Sequence, residues 1–321
     1  MGNFLQRAFM LLLPGLFYAC SPAGNQQPQP GVLTVGPGMT YATPSLAARA
    51  AKPGDIIRIA PGTYSDCVRW NTDGLVIEST GSGATITGEV CDDKGLFVTR
   101  GRNITVRNIT FLGAHASSHN GSGIRSEGPV LTVENSRFID NEDGILAGAN
   151  ALSTIIVRNS TFRGNGNCIA ACAHGIYVGH IALLRVENSE FEGQHAGHHI
   201  KSRAARTEIL NNIIHDGPAG SASYLVDLPN GGSAVISGNQ LEKGPRSENK
   251  NVAISIGAEG PSAENPSGEI AIKNNVFAND TGRSTAFIKN YTNNPVSLGD
   301  NRLVGDVTLL RGLEDSAPAP R

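Results

Sequence analysis

The sequence predicts an all-β fold, a single-stranded parallel β-helix (a solenoid of stacked coils), and three observations carry that expectation. One short pattern recurs along most of the chain. Its last residue falls at 111, 138, 162, 191, 214, 241, 277 and 303. The steps vary while the pattern stays, as happens when loops of different size hang from coils of one size. Composition agrees: 39 glycines among 321 residues and 5% aromatics suit short strands and tight turns better than a helical bundle. Each copy of the pattern is also followed by a second short aliphatic run, so each coil carries more than one strand.

Residues 1–19 read as an export signal. Arg7 gives a small positive start, and Ala8 to Phe17 an apolar core interrupted by Pro14-Gly15. That core is too short for a bilayer, which takes about 20 residues. The stretch Leu16-Phe17-Tyr18-Ala19-Cys20 resembles a bacterial lipoprotein box with Cys20 as the lipidated residue, although Phe17 replaces the usual Leu and Tyr18 is bulky. Ordinary cleavage after Ala19 or Ala23 is the alternative. Residues 20–31, rich in Pro and Gln, form a flexible tether. Residues 32–312 form one β-helix domain, and 313–321, with Pro318 and Pro320, a disordered tail. The protein is therefore expected to be exported: periplasmic, held at the outer membrane by its lipid, or extracellular.

The domain begins with a strand at Leu33-Thr34-Val35. An Ala-rich helix over Ser45 to Ala51 follows, capped by Thr43 or Ser45. Pro53-Gly54-Asp55 turns the chain into a strand, Ile56 to Ala60, which Pro61-Gly62 ends. This run, Ala51 to Tyr64, resembles the N-terminal cap of secreted right-handed parallel β-helix proteins of the pectate-lyase-like superfamily. A solenoid has an open apolar end, and the helix would cover it.

The repeat follows, as Val106 to Phe111, Val133 to Phe138, Val157 to Phe162 and Val186 to Phe191, with weaker copies to Leu303. Its Asn residues, 108, 135, 159, 188, 211 and 274, can take the left-handed conformation that a sharp corner needs. They are expected to hydrogen-bond from coil to coil as a ladder. Setting Cys20 aside leaves four cysteines. Cys67 and Cys91 are one coil apart, and equivalent positions on adjacent coils lie about 4.8 Å apart, so they are expected to bond. Cys168 and Cys172 would close a small loop.

Chemistry concentrates in the second strands. With the aliphatic residue inward, the next residue of each faces out in one column: Arg125, Leu146, Tyr177, Lys201, Asp227, Ser255 and Lys289. The stretch from His198 to Arg203 is the densest. With Ile200 inward, His199, Lys201 and Arg203 are expected on one outward face. All eight histidines fall between His115 and His215, and His174 and His198 belong to coils near Lys201. Formal net charge is −2, so nothing global points to nucleic acid. A local cationic patch of this kind fits an acidic polysaccharide, bound by a monomer.

The run His198-His199-Ile200-Lys201-Ser202 with Asn211-Asn212 is similar to a motif of chondroitinase B and related alginate lyases. The resemblance implies that Lys201 is the base that abstracts a proton. The family's acidic calcium ligands would fall where Gln194 and Ala196 stand, and the coil that carries its Arg-His-Gly strand here reads Asp227 to Gly232. No metal ligand is assigned on this chain, and calcium is the divalent cation the resemblance allows.

β-Elimination at a uronate needs a base, a group that neutralises the carboxylate, and a proton for the leaving oxygen. Lys201, His199 and Tyr177 are the candidate catalytic residues. Arg203, Asp227, Arg125, His174, His198 and Asn230 are the candidate substrate-binding residues. The expected activity is a polysaccharide lyase or C5-epimerase on a uronic-acid polymer. The alternative is a non-catalytic cell-envelope polysaccharide binder or adhesin. A hydrolase would need a second acid beside Asp227, from Glu259 or Asp216. Should Lys201 prove buried, the loop holding Glu259 and Glu264 is the next place to look.

Overall fold

The computed structural model describes residues 1–2, 30–169, 171–263, 265 and 268–312. The expected signal, Cys20, most of the tether and the tail lie outside the described residues. Strands run from Val32 to Arg311 in three parallel sheets of eleven, ten and ten strands. After the first strand and its helix, each coil contributes one strand to each sheet, giving a right-handed β-helix with three faces. The first face starts with Val32–Val35, the second with Gly62–Ser65 and the third with Val68–Trp70.

The repeat is the second face. Phe111, Phe138, Phe162, Phe191, Ile214, Leu241, Phe277 and Leu303 pair in register, coil on coil. Their rings stack inside: Phe111 on Phe138 at 5.0 Å, Phe138 on Phe162 at 4.6 Å, Phe162 on Phe191 at 4.5 Å. These spacings match the coil repeat, so in these four coils each ring packs directly on the next.

The corner asparagines take the left-handed conformation as expected, with φ from 48° to 58° at Asn108, Asn135, Asn159, Asn188, Asn211 and Asn274. The hydrogen-bonded ladder lies one residue further on. Asn212, Asn239, Asn275 and Asn301 pass Nδ2 to Oδ1 from coil to coil at 2.9–3.1 Å. Ser136, Ser160 and Ser189 continue it through backbone N–H donors. The left-handed residue turns its own side chain outward and sends the next one under the corner, where buried donors must be satisfied.

Helix α1 (Pro44–Ala50) covers the first coil and buries Ala47. Thr43 makes no side-chain cap. Asp66 accepts the Ser45 N–H at 2.8 Å instead, from one coil on. Cys67 and Cys91 are bonded, with Cα atoms 5.4 Å apart, and Cys168 is bonded to Cys172. Among the described residues no helix is long and apolar enough to cross a membrane.

Candidate functional site

The third face brings the column together as the sequence predicts. Leu146 pairs with Tyr177, Tyr177 with Lys201, Lys201 with Asp227, Asp227 with Ser255 and Ser255 with Lys289. A second column runs beside it, from Ser122 and Asp143 through His174 to His198 and Tyr224.

His199 departs from the expectation. Strict alternation would place it outward beside Lys201, but it is buried, 1% exposed. The reason is the corner between the second and third faces, where two consecutive residues of a coil turn inward. Leu96 and Phe97, Leu225 and Val226, Ala253 and Ile254, and Phe287 and Ile288 are all fully buried pairs. In the coils of Phe111, Phe138 and Phe162 the first of the pair is glycine: Gly123, Gly144 and Gly175. A Cβ at Gly123 or Gly144 would come within 2.8 Å of the Phe138 or Phe162 ring. The Phe stack ends at Phe191, and His199 fills the freed space with its ring 6.3 Å from Phe191, edge-on. Its Nε2 lies 2.9 Å from Asp216 Oδ1. Asp216 also accepts from Gly244 N–H and the Ser247 hydroxyl. Burial works to raise the Asp216 carboxyl, but the His199 hydrogen bond and the Lys243 charge outweigh it and hold the group below its usual range. His199 is therefore part of a polar plug in the core, facing away from Lys201.

His198 takes the outward place. Two left-handed residues, Ala196 and Gly197 (both φ 57°), lead the chain into this strand. Its Nδ1 accepts the Tyr224 N–H at 3.2 Å, so the ring proton of the neutral form sits on Nε2, 3.4 Å from Asp227 Oδ2. His174 follows the same rule, its Nδ1 accepting the His198 N–H at 3.0 Å. The rings stack at 4.8 Å, and Tyr224 lies 5.0 Å beyond His198. Burial, with the Lys201 and Arg203 charges adding, depresses His174 to about 3. Burial and neighbouring charge take His198 well below its ordinary value too. Both rings are neutral at physiological pH.

The charged half is built around Lys201 and Arg203, whose side chains are 14% and 17% exposed. Lys201 Nζ lies 3.6 Å from Asp227 Oδ2 and 3.2 Å from Glu259 Oε1. Arg203 donates from Nε to the Tyr177 hydroxyl at 3.1 Å, from Nη1 to Asn230 Oδ1, and from Nη2 to Glu259 Oε2 at 2.7 Å. Both cations lie over the Tyr177 ring, at 5.8 and 6.0 Å. Burial pushes the Asp227 carboxyl up to about 6, against the Lys201 charge. Partial burial also works to raise Glu259, but the Arg203 hydrogen bond and Lys201 charge prevail and hold it below the usual range.

The structure thus gathers Tyr177, Lys201, Arg203, Asp227, Asn230, His174 and His198 in one cluster. Arg125 is not in it. It is three coils from Lys201 along the column, roughly 14 Å at about 4.8 Å per coil, with Leu146 between and Glu127 as its nearest acid at 4.0 Å. His115 and His119 are not in it either, since both stand against Glu142. Glu259 was visible in the sequence only as an acid on a long loop. It arrives from two coils beyond Lys201, which no column alignment reveals. Among the described residues no three His, Cys, Asp or Glu side chains converge to hold a metal ion. Gln194 and Ala196 do not fit calcium. The Gln194 amide is buried with its Nε2 donor unpaired, and a donor repels a cation.

Residues 62–173 and 166–307 match the family described as the right-handed beta helix region, and the chain belongs to it. No curated protein matches the sequence. Among solved structures the chain resembles a tailspike of Acinetobacter baumannii bacteriophage Fri1, a capsular polysaccharide depolymerase. Identity is 11% and the TM-score 0.45, over 89% of this chain, which spans 65% of the tailspike's length. It also resembles the catalytic unit of a Streptomyces thermodiastaticus α-1,3-glucanase, with 13% identity, 94% and 73% of the two chains covered, and a TM-score of 0.47. A mannuronic acid specific polysaccharide family 6 lyase from human gut microbiota matches at 13% identity, 85% and 82% coverage and a TM-score of 0.37. All three act on polysaccharides by their descriptions. At these identities the likeness extends to the fold alone.

Proposed function

We propose that the protein is an exported enzyme that binds an acidic polysaccharide across the third face and breaks or epimerises it at a uronate unit, as a polysaccharide lyase or C5-epimerase. One observation carries the reading. Two cations, Lys201 and Arg203, stand beside a phenol that one of them contacts, on adjacent coils of one face. That spacing lets one sugar unit meet all three groups. Arg203 neutralises the carboxylate, so that negative charge can develop at the adjacent carbon. Lys201 holds a carboxylate oxygen as an ammonium when the sugar first binds, and takes the C5 proton once its own proton has passed toward Asp227, whose buried carboxyl holds a proton more readily than an exposed one. Tyr177 gives its proton to the leaving glycosidic oxygen as the C4–O bond breaks and a C4–C5 double bond forms. In epimerisation a proton returns to C5 from the other side and the C4–O bond survives. Asn230 holds Arg203, and His174 and His198 form a neutral floor behind the charged groups.

A hydrolase reading has one observation in its favour. Asp227 and Glu259 flank the same ammonium in unlike environments, one carboxyl raised and the other lowered, the pattern of an acid paired with a base. The bonded cysteines suit an oxidising compartment. With the signal-like start they support export of the β-helix domain over 32–312, with or without a lipid on Cys20, and we take it to act as a monomer.

Incubation with a panel of uronic-acid polymers tests all of this. A lyase produces the ultraviolet absorbance of a double bond conjugated to a carboxylate. An epimerase changes the polymer's C5 configuration by NMR without that absorbance. A hydrolase releases reducing ends alone, and a non-catalytic binder retains the polymer unchanged. The absence of both binding and product across the panel contradicts the proposal.

A further inference from the structure

Glu259 differs from the other charged groups of the cluster in where it comes from. It belongs to the turn after the strand Val252–Ile256, two coils beyond Lys201. Gly257 and Gly260 bracket it, both left-handed, with φ 76° and 84°. The turn rests on the preceding corner through two bonds: Glu259 N–H to Pro229 O at 2.9 Å, and Asn230 Nδ2 to Gly260 O at 3.0 Å. The carboxylate divides its oxygens, Oε1 toward Lys201 at 3.2 Å and Oε2 toward Arg203 at 2.7 Å. Its side chain is 47% exposed, against 14% for Lys201 and 17% for Arg203. It therefore lies between the two cations and solvent. A carboxylate arriving from solution reaches them by taking its place.

We infer that the Lys201–Arg203 pair is a subsite for a planar carboxylate, and that Glu259 is its built-in competitor, displaced by the carboxylate of a uronate unit. The inference rests on the acidic-polysaccharide reading and narrows it. One oxygen per cation is the geometry of a carboxylate, and a guanidinium edge beside an ammonium favours it over a tetrahedral sulfate. Neutral sugars offer nothing to displace a bound carboxylate. The glycine-bracketed turn lets Glu259 withdraw without moving a strand. While Glu259 occupies the subsite the apparent affinity for uronate is reduced by the fraction of molecules in which it is withdrawn.

Calorimetric titration of the full chain decides the matter. The probes are short oligomers of galacturonate and of mannuronate, a sulfated galactan oligomer and a neutral one, each titrated into the unaltered protein and into Glu259→Gln. The uronate oligomers are expected to bind Glu259→Gln about tenfold more tightly, as when a state filling roughly nine-tenths of the population is removed. The sulfated and neutral oligomers are expected to gain nothing. Equal or weaker uronate binding by Glu259→Gln overturns the inference while leaving the acidic-polysaccharide reading intact. An equal gain for the sulfated oligomer overturns the carboxylate preference. If uronates bind neither protein, the acidic-polysaccharide reading falls and the inference with it. Should the amide disturb the fold, Glu259→Asp keeps the charge but shortens the reach by one methylene. A smaller gain in uronate affinity is expected there, and no gain overturns the inference.

Discussion

Two columns of charged residues climb this solenoid, and they are built on opposite terms. On the first face Arg58, Glu78, Arg107, Glu134, Arg158 and Glu187 follow one another in register with strict alternation of sign. Each charge has an opposite neighbour above or below, and the arginines are well exposed, from 39% to 44%. On the third face the charges around Lys201 are largely withdrawn from water. They share partners unevenly, and Asp227 keeps an unpaired buried oxygen. The first column is what a repeating scaffold needs to stack without like-charge repulsion. The second contributes little to stacking. Its raised carboxyl, depressed imidazoles and paired cations are what the proposed chemistry needs and a stacking scaffold does not.

Removing one member from each region should separate them, and the largest effect is expected at Lys201. Lys201→Ala should lower turnover of a uronic-acid polymer by about 10²–10⁴-fold, the usual contribution of a positioned acid or base. Lys201→Arg should not restore it, because a guanidinium does not give up its proton. Steady-state rates on folded protein check both, and an arginine variant of normal activity would leave Lys201 as a carboxylate ligand alone, with no part in proton transfer.

Asp216 comes next, as a test of the plug rather than of catalysis. Asp216→Ala leaves His199 without its carboxylate and removes the foremost of the negative charges that act on the fully buried Lys243. Denaturant unfolding should register a loss of about 3–5 kcal/mol, as for other broken buried pairs.

Acid should distinguish the faces in a third way. His174 falls to about 3 in the folded chain, against about 6.5 unfolded. The folded state binds fewer protons over that interval. The stability this group contributes is thus fully present above about 6.5 and is lost as pH falls toward 3, by on the order of 3–5 kcal/mol. His174→Gln should flatten this part of the stability profile, followed by denaturant midpoints from neutral to acid pH. The smallest effect belongs to the first face. Glu134→Ala breaks pairs with Arg107 and Arg158, yet should cost no more than about 1 kcal/mol and leave turnover unchanged.

The contrast also explains which parts were legible in the sequence. Repetition makes the second-face residues and the Tyr177–Lys201–Asp227 column readable, because one spacing rule holds for every coil. The rule fails where the backbone bends. At the corner two residues turn inward instead of one, so His199 and His198 exchange the places that alternation gives them. The buried ladder sits at Asn212, Asn239 and Asn275 rather than at the left-handed residue before each corner, because the turn moves the inward direction by one residue. Glu259 meets Lys201 across 58 residues of chain, through a turn whose path depends on Pro229 and Asn230. Nothing in its own spacing records that contact.

The most direct test of the division between scaffold and site is a crystal structure with a uronate oligomer bound to Lys201→Ala or, at low turnover, to the unaltered chain. With Lys201 present, a sugar carboxylate should lie within hydrogen-bonding distance of Lys201 Nζ and Arg203 Nη2, the Tyr177 hydroxyl should face the glycosidic oxygen, and Glu259 should have withdrawn. In Lys201→Ala the carboxylate should remain on Arg203. An oligomer seated along the alternating charges of the first face, with Glu259 still bridging its two cations, would contradict the account.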